Sequence, residues 1–162
     1  MTPTSAALER LASLSARLNA ETDRLNESIK QIEKALGRMK LGVSVWLDDV
    51  IRPAGGEEAD HGYQLGYARL RDKWRIAVRR VPLAAGAVGE PDDPVALVKA
   101  PRLVRVQGIR YIDALVDELT GRVSYFLDSI LEARQAASAD GAGLEDAGAS
   151  AEQEAAGVDE GA

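Results

Sequence analysis

The chain has 162 residues, 46% of them hydrophobic but only 4% aromatic, and no cysteine, which excludes disulfides, thiolate nucleophiles and cysteine-bearing zinc sites. Its net charge of −6 is unevenly spread: residues 1–131 carry 19 Lys and Arg against 18 Asp and Glu, whereas residues 132–162 carry one Arg against eight acids. The acidity therefore belongs to a tail and not to a folded acidic surface.

The chain does not open on a basic segment followed by an apolar run, and its longest weakly polar run, 81–89, is far shorter than the ~20 residues that cross a bilayer. A soluble, cytoplasmic protein without membrane contact is the expectation.

Thr4 and Ser5 are candidate caps for a first helix. From Leu8 to Met39 apolar residues recur on a 3-4 spacing. Leu11, Leu18, Leu25, Ile32 and Met39 take heptad position d; Leu8, Ser15, Thr22, Ile29 and Leu36 take a. A seam repeating every seven residues stays buried when its helix winds on another helix. Residues 1–40 therefore read as an oligomerisation helix, with Leu11, Leu18, Leu25, Ile29, Ile32, Leu36 and Met39 as its interface. Ser15 and Thr22 weaken the centre of the seam, so the half from Leu25 to Met39 is expected to drive assembly. On that reading Leu25→Asp should disrupt the oligomer more than Leu11→Asp.

Leu41, Val43, Val45 and Leu47 alternate with Gly42, Ser44 and Trp46, the period of a strand over 41–47. A polar loop follows over 48–62. Two further alternating segments, 63–70 and 73–81, carry apolar residues of opposite parity: Leu65 and Tyr67 on one, Trp74, Ile76 and Val78 on the other. Opposed residues of a hairpin share a face, so paired numbers must sum to an odd value. A two-residue turn at Arg71-Asp72 pairs Tyr67 with Ile76, Leu65 with Val78 and Arg69 with Trp74; a four-residue loop over 70–73 gives the same pairs. Four prolines break the segment 82–101, where a short strand over 95–98 fits. A helical stripe from Ile112 to Leu131 then predicts one long helix over 101–136, weakened at Gly121 by about 1 kcal/mol relative to Ala. The Ala, Gly, Asp and Glu of 139–162 predict disorder.

The fold class is thus α+β: an N-terminal coiled-coil-like helix (1–40), a small body (41–138) with a three-stranded antiparallel meander and a long C-terminal amphipathic helix, and a disordered acidic tail (139–162).

Candidate sites are few. The outer face of the hairpin carries Lys73, Arg75 and Arg79, which could meet nucleic-acid phosphates, although a solvated sheet face carries such residues anyway. Trp46 points away from its strand's apolar neighbours and is a candidate partner contact, most simply buried within a homo-oligomer. Arg69 opposite Trp74 reads as a cation–π pair. His61, with Asp48, Asp49, Glu57, Glu58 and Asp60, could hold a divalent ion, but its spacing matches no metal loop. Asp113 and Asp117 share a helix face that reads as solvated. No phosphate-binding loop or nucleophile elbow is present.

The expectation is a non-enzymatic oligomeric adaptor, structural or accessory protein, without cofactor or metal. It binds itself and another protein. The alternative is a nucleic-acid-binding protein using the basic face of the 63–81 hairpin, with the acidic tail as competitor.

Overall fold

The structure, a computed structural model, describes residues 3–52, 60–83 and 89–156, with side chains described from residue 4 to residue 139 within those spans. Helix α1 (Pro3–Met39) begins slightly before the expected caps, with a proline in its first turn, where the missing N–H costs nothing. It ends where Lys40 adopts φ 51° and donates its N–H to the Gly37 carbonyl at 3.3 Å. Such a left-handed residue terminates a helix by turning the chain away from its axis.

Four strands follow: β1 (Val45–Ile51), β2 (His61–Leu70), β3 (Lys73–Pro82) and β4 (Val95–Ala96), antiparallel in the order β1-β2-β3-β4. The short strand that fits 95–98 is present as β4, only two residues long, and adds an edge to the three-stranded meander by pairing with Ala77 and Val78. The hairpin register is the one parity requires, with Tyr67 opposite Ile76, Leu65 opposite Val78 and Arg69 opposite Trp74. Its turn is the two-residue Arg71-Asp72, with Arg71 at φ 58° as the first residue of a type II′ turn requires.

β1 lies four residues later than 41–47. Leu41 and Val43 do face the core, but only from Val45 does the chain find a ladder partner, Tyr67. A bulge between Trp46 and Val50 then lets Val50 and Ile51 pair with Gln64 and Tyr63. Leu47 and Ile51 both point inward across this bulge, while Asp48 and Asp49 are exposed. The two acids placed at the start of a loop are therefore inside a bulged strand.

The predicted helix over 101–136 is divided. A 3-10 turn (Leu97–Lys99) leads into α2 (Arg102–Gly108), and a second 3-10 turn (Ile109–Tyr111) joins it to α3 (Ile112–Ala156). Val104, Gly108, Ile112, Leu115 and Leu119 are all buried, so the inward stripe continues through the tightened turn. Gly108 packs against Leu97, whose Cδ1 would lie 3.0 Å from any added Cβ. Helix α3 runs to Ala156 and so includes 139–156, which the sequence predicts to be without order; the alanines and glutamates there favour continuing a helix already under way. Residues 157–162 lie outside the described residues.

The chain forms two units, 1–121 and 122–162. In the first, one apolar core joins Ile29 and Leu36 of α1 to Leu65, Tyr67, Ile76 and Val78 of the sheet and to Leu97, Val104 and Leu115. Two side-chain bonds tie α2 to α1: Arg102 Nη2 donates to Asn19 Oδ1 at 3.0 Å, and Arg105 Nη1 to Asn26 Oδ1 at 2.6 Å. In the second unit Tyr125, Phe126, Leu127, Ile130 and Leu131 are exposed. The stripe expected to cover a sheet is thus buried only as far as Leu119.

Candidate functional site

The heptad seam of α1 has two fates. Ile29 is fully buried and Leu36 is 6% exposed, both inside the core, with Leu25 and Ile32 packed beside them. These four residues of the expected oligomer interface are consumed by the chain's own sheet. Leu11 and Leu18 are 62% and 50% exposed, and Leu8 and Leu14 accompany them on the same side of the helix. Met39 is exposed at the far end. The free part of the seam is therefore its N-terminal half, the reverse of the order expected. The reason is local: among the described residues only the part of α1 from Leu25 onward packs into the core of the body.

On the outer face of the sheet Trp46, Gly66, Ala77 and Ala96 form one cross-strand row. The indole of Trp46 lies on Gly66, where an added Cβ would come within 2.4 Å of its Cε3. The guanidinium of Arg79 stacks over the ring at 4.4 Å from its centroid, and Arg79 Nε donates to Gln64 Oε1 at 3.0 Å. Trp46 is thus half-covered by its own sheet, and Arg79 is committed to it. Trp74 stacks on Tyr67 at 5.5 Å and 19°. The ring opposite Arg69 therefore has an aromatic partner, and the cation–π pair of the sheet is Arg79 with Trp46.

A cleft of about 780 Å³ opens beside the hairpin turn, lined by Arg69, Arg71, Lys73, Arg75 and Lys99 together with Asp72 and Asp93. A second, of about 510 Å³, shares Lys73 and Arg75 and adds Lys30, Lys34, Glu33 and Trp74. β4 leaves the first half of β3 uncovered, and this is where both clefts lie. Glu33, only 9% exposed, reaches from α1 to that bare edge: its Oε1 accepts the Ile76 N–H at 3.0 Å and its Oε2 lies 3.6 Å from Arg75 Nη1. Burial pushes the Glu33 carboxyl above its ordinary range, against the pull of the Arg75 guanidinium and the Ile76 N–H. The Tyr67 hydroxyl is raised by burial and, secondarily, by the charge of Glu33.

Of the sequence candidates, Lys73 and Arg75 are brought together and Arg79 is held apart from them. Glu33 and Lys99 escaped sequence reading. Glu33 sits beside the seam like any solvated acid, and Lys99 reaches the cleft only because a 3-10 turn follows β4. The density of Arg69, Arg71, Lys73 and Arg75 was the available signal. His61 opens β2 opposite Pro82, and Glu57 and Glu58 lie outside the described residues. Among the described residues no three His, Asp or Glu side chains are placed to hold a metal. Asp113 and Asp117 are exposed on α3. No helix among the described residues is long and apolar enough to cross a membrane. Compared with protein-family models, with curated proteins and with solved structures, the chain matches none.

Proposed function

We propose that the protein is a non-enzymatic assembly subunit, an adaptor or structural component, that self-associates through the N-terminal half of α1. The observation that carries this reading is the exposure of Leu8, Leu11, Leu14 and Leu18 on one side of a helix whose other end is anchored in a folded body. A contiguous apolar stripe of this kind is unfavourable in water and marks an interaction surface. Its occupant is a second copy of the same helix. The 3-4 spacing makes the stripe complementary to a like stripe, and Leu14 at position g widens it beyond a bare seam. The polar Ser15 at a then serves to set register between copies. The exposed stripe of the second unit, from Tyr125 to Leu131, adds further apolar surface for assembly.

Deleting residues 1–40 is not a fair test, because Ile29, Glu33 and Leu36 would leave the core with them. Light scattering or sedimentation equilibrium of the full chain and of Leu11→Asp/Leu18→Asp is the direct one. The expected result is a multiple of the chain mass for the wild type and a folded single-chain mass for the variant. A wild type that stays at single-chain mass at tens of micromolar, or a variant with unchanged mass, overturns self-association through this half of α1.

A further inference from the structure

We infer that the basic clefts beside the hairpin turn form a binding track for single-stranded nucleic acid, held by its sugar–phosphate backbone. Cations from three separated segments converge there: Arg69, Arg71, Lys73 and Arg75 from the hairpin, Lys99 from the 3-10 turn, and Lys30 and Lys34 from α1. Among the described residues Arg69, Arg71, Lys73, Lys99 and Lys34 form no salt bridge. Among the described residues the acids lining either cleft are Asp72, Asp93 and Glu33, and Glu33 is already turned to Arg75 and the Ile76 N–H. Residues 1–131 are almost electrically neutral as a whole, so this concentration of positive charge is a local feature of the surface. A concave surface of one sign attracts and retains a ligand of the other.

Two adjoining clefts sharing Lys73 and Arg75 suit a linear polyanion better than a single small anion. An acidic peptide adding itself as a strand to the bare edge of β3 is the competing occupant. That route meets an edge whose Ile76 N–H is already taken by a carboxylate, which withdraws a main-chain donor and presents a like charge. Recognition is left to side chains. Trp74 lines the second cleft beside Lys73 and Lys34, so an unpaired base finds a ring next to the cations that hold its phosphate. A duplex, with its bases stacked inward, has no use for that ring. The site differs from the flat outer face expected from sequence, since Arg79 is engaged with Trp46 and Gln64 and contributes nothing to it. The inference is independent of the assembly surface, which lies on other residues.

The test is fluorescence anisotropy with a labelled mixed-sequence single strand of about 20 nucleotides, long enough for one binding track, titrated with the full-length protein. Duplex of the same sequence and poly-glutamate are run in parallel. Single-strand affinity is expected to fall about a hundredfold between 50 and 200 mM salt, as the release of counterions from about five phosphates requires. Lys73→Glu/Lys99→Glu should weaken binding at least tenfold, Lys73→Arg/Lys99→Arg should retain it, and Arg79→Gln should bind as the wild type does. Trp74→Phe should weaken single-strand binding without changing its salt slope. Circular dichroism of each variant separates lost binding from lost fold. No binding of the single strand at low salt, wild-type binding by a folded Lys73→Glu/Lys99→Glu, or equal affinity for duplex or poly-glutamate would each overturn the inference.

Discussion

The two halves of α1 obey one heptad rule and meet different surroundings. From Leu25 to Leu36 the seam is sealed against the sheet; from Leu8 to Leu18 the same pattern is open to water. A repeating apolar face states that something must cover it, not what does. Here the covering surface of one half is supplied by the same chain, and the other half is left over. The division falls near Asn19, which among the described residues takes the hydrogen bond of Arg102 at 3.0 Å.

Substitutions along the helix probe this division, the largest effect coming first. Ile29→Ala, at a site with no exposure, should cost about 2–5 kcal/mol in urea unfolding followed by circular dichroism; a loss below about 1 kcal/mol would mean the site collapses around the gap or is not sealed. Glu33→Ala should cost about 1–3 kcal/mol, because it leaves the Ile76 N–H without an acceptor. Leu11→Ala should change the unfolding of dilute protein by no more than about 0.5 kcal/mol. It should nonetheless abolish any rise of stability with protein concentration, the signature of a folded state that associates. Equal costs for Ile29→Ala and Leu11→Ala would erase the distinction between the halves. Opposite in sign is Gly37→Ala, a gain of about 0.5–1 kcal/mol, since nothing lies within 4 Å of the added Cβ and a helical glycine carries excess chain entropy.

Glu33 adds a pH dependence to the sealed half. Its carboxyl holds its proton more tightly folded than unfolded. Between the ordinary carboxylate range and its raised folded value, stability therefore falls as pH rises, and is level above it. Glu33→Gln stays neutral throughout, so its cost should be greatest at the acid end and shrink toward neutral pH. Urea midpoints of the two proteins across that range check this; a constant difference would mean that the Arg75 and Ile76 interactions balance burial, and a cost growing with pH that they outweigh it.

The register of the hairpin was legible because its evidence is local. Opposite parity of Leu65 and Ile76 gives the same pairs with a two-residue turn or a four-residue loop, and the choice between those turns was not legible. β1 was misplaced because alternation at Leu41 and Val43 says which way a side chain faces, whereas a strand also needs a neighbour to pair with. The bulge at Leu47–Asp49 has no sequence mark, since Asp48-Asp49 looks like any loop opening. The basic patch was half legible. Lys73 and Arg75 follow from spacing, but Lys99 joins them through a turn 24 residues away in the chain, and Arg79 is withdrawn by a tryptophan on another strand. Glu33 shows what sequence hides most completely. An acid beside an apolar seam is unremarkable until the strand edge it serves has been placed.

The small residues beneath Trp46 have an optical consequence. The chain's two tryptophans report on different parts of the first unit: Trp46 on the outer sheet face under a guanidinium, Trp74 stacked on Tyr67 beside the basic clefts. With selective excitation at the red edge of indole absorption, Trp46→Phe leaves a single tryptophan emitter at the clefts, and Trp74→Phe a single one on the outer face of the sheet. Emission from the first should respond to an occupant of the clefts, while emission from the second should stay silent until the sheet itself comes apart. The molecule thus carries its own pair of probes, able to tell ligand uptake from unfolding without any added label.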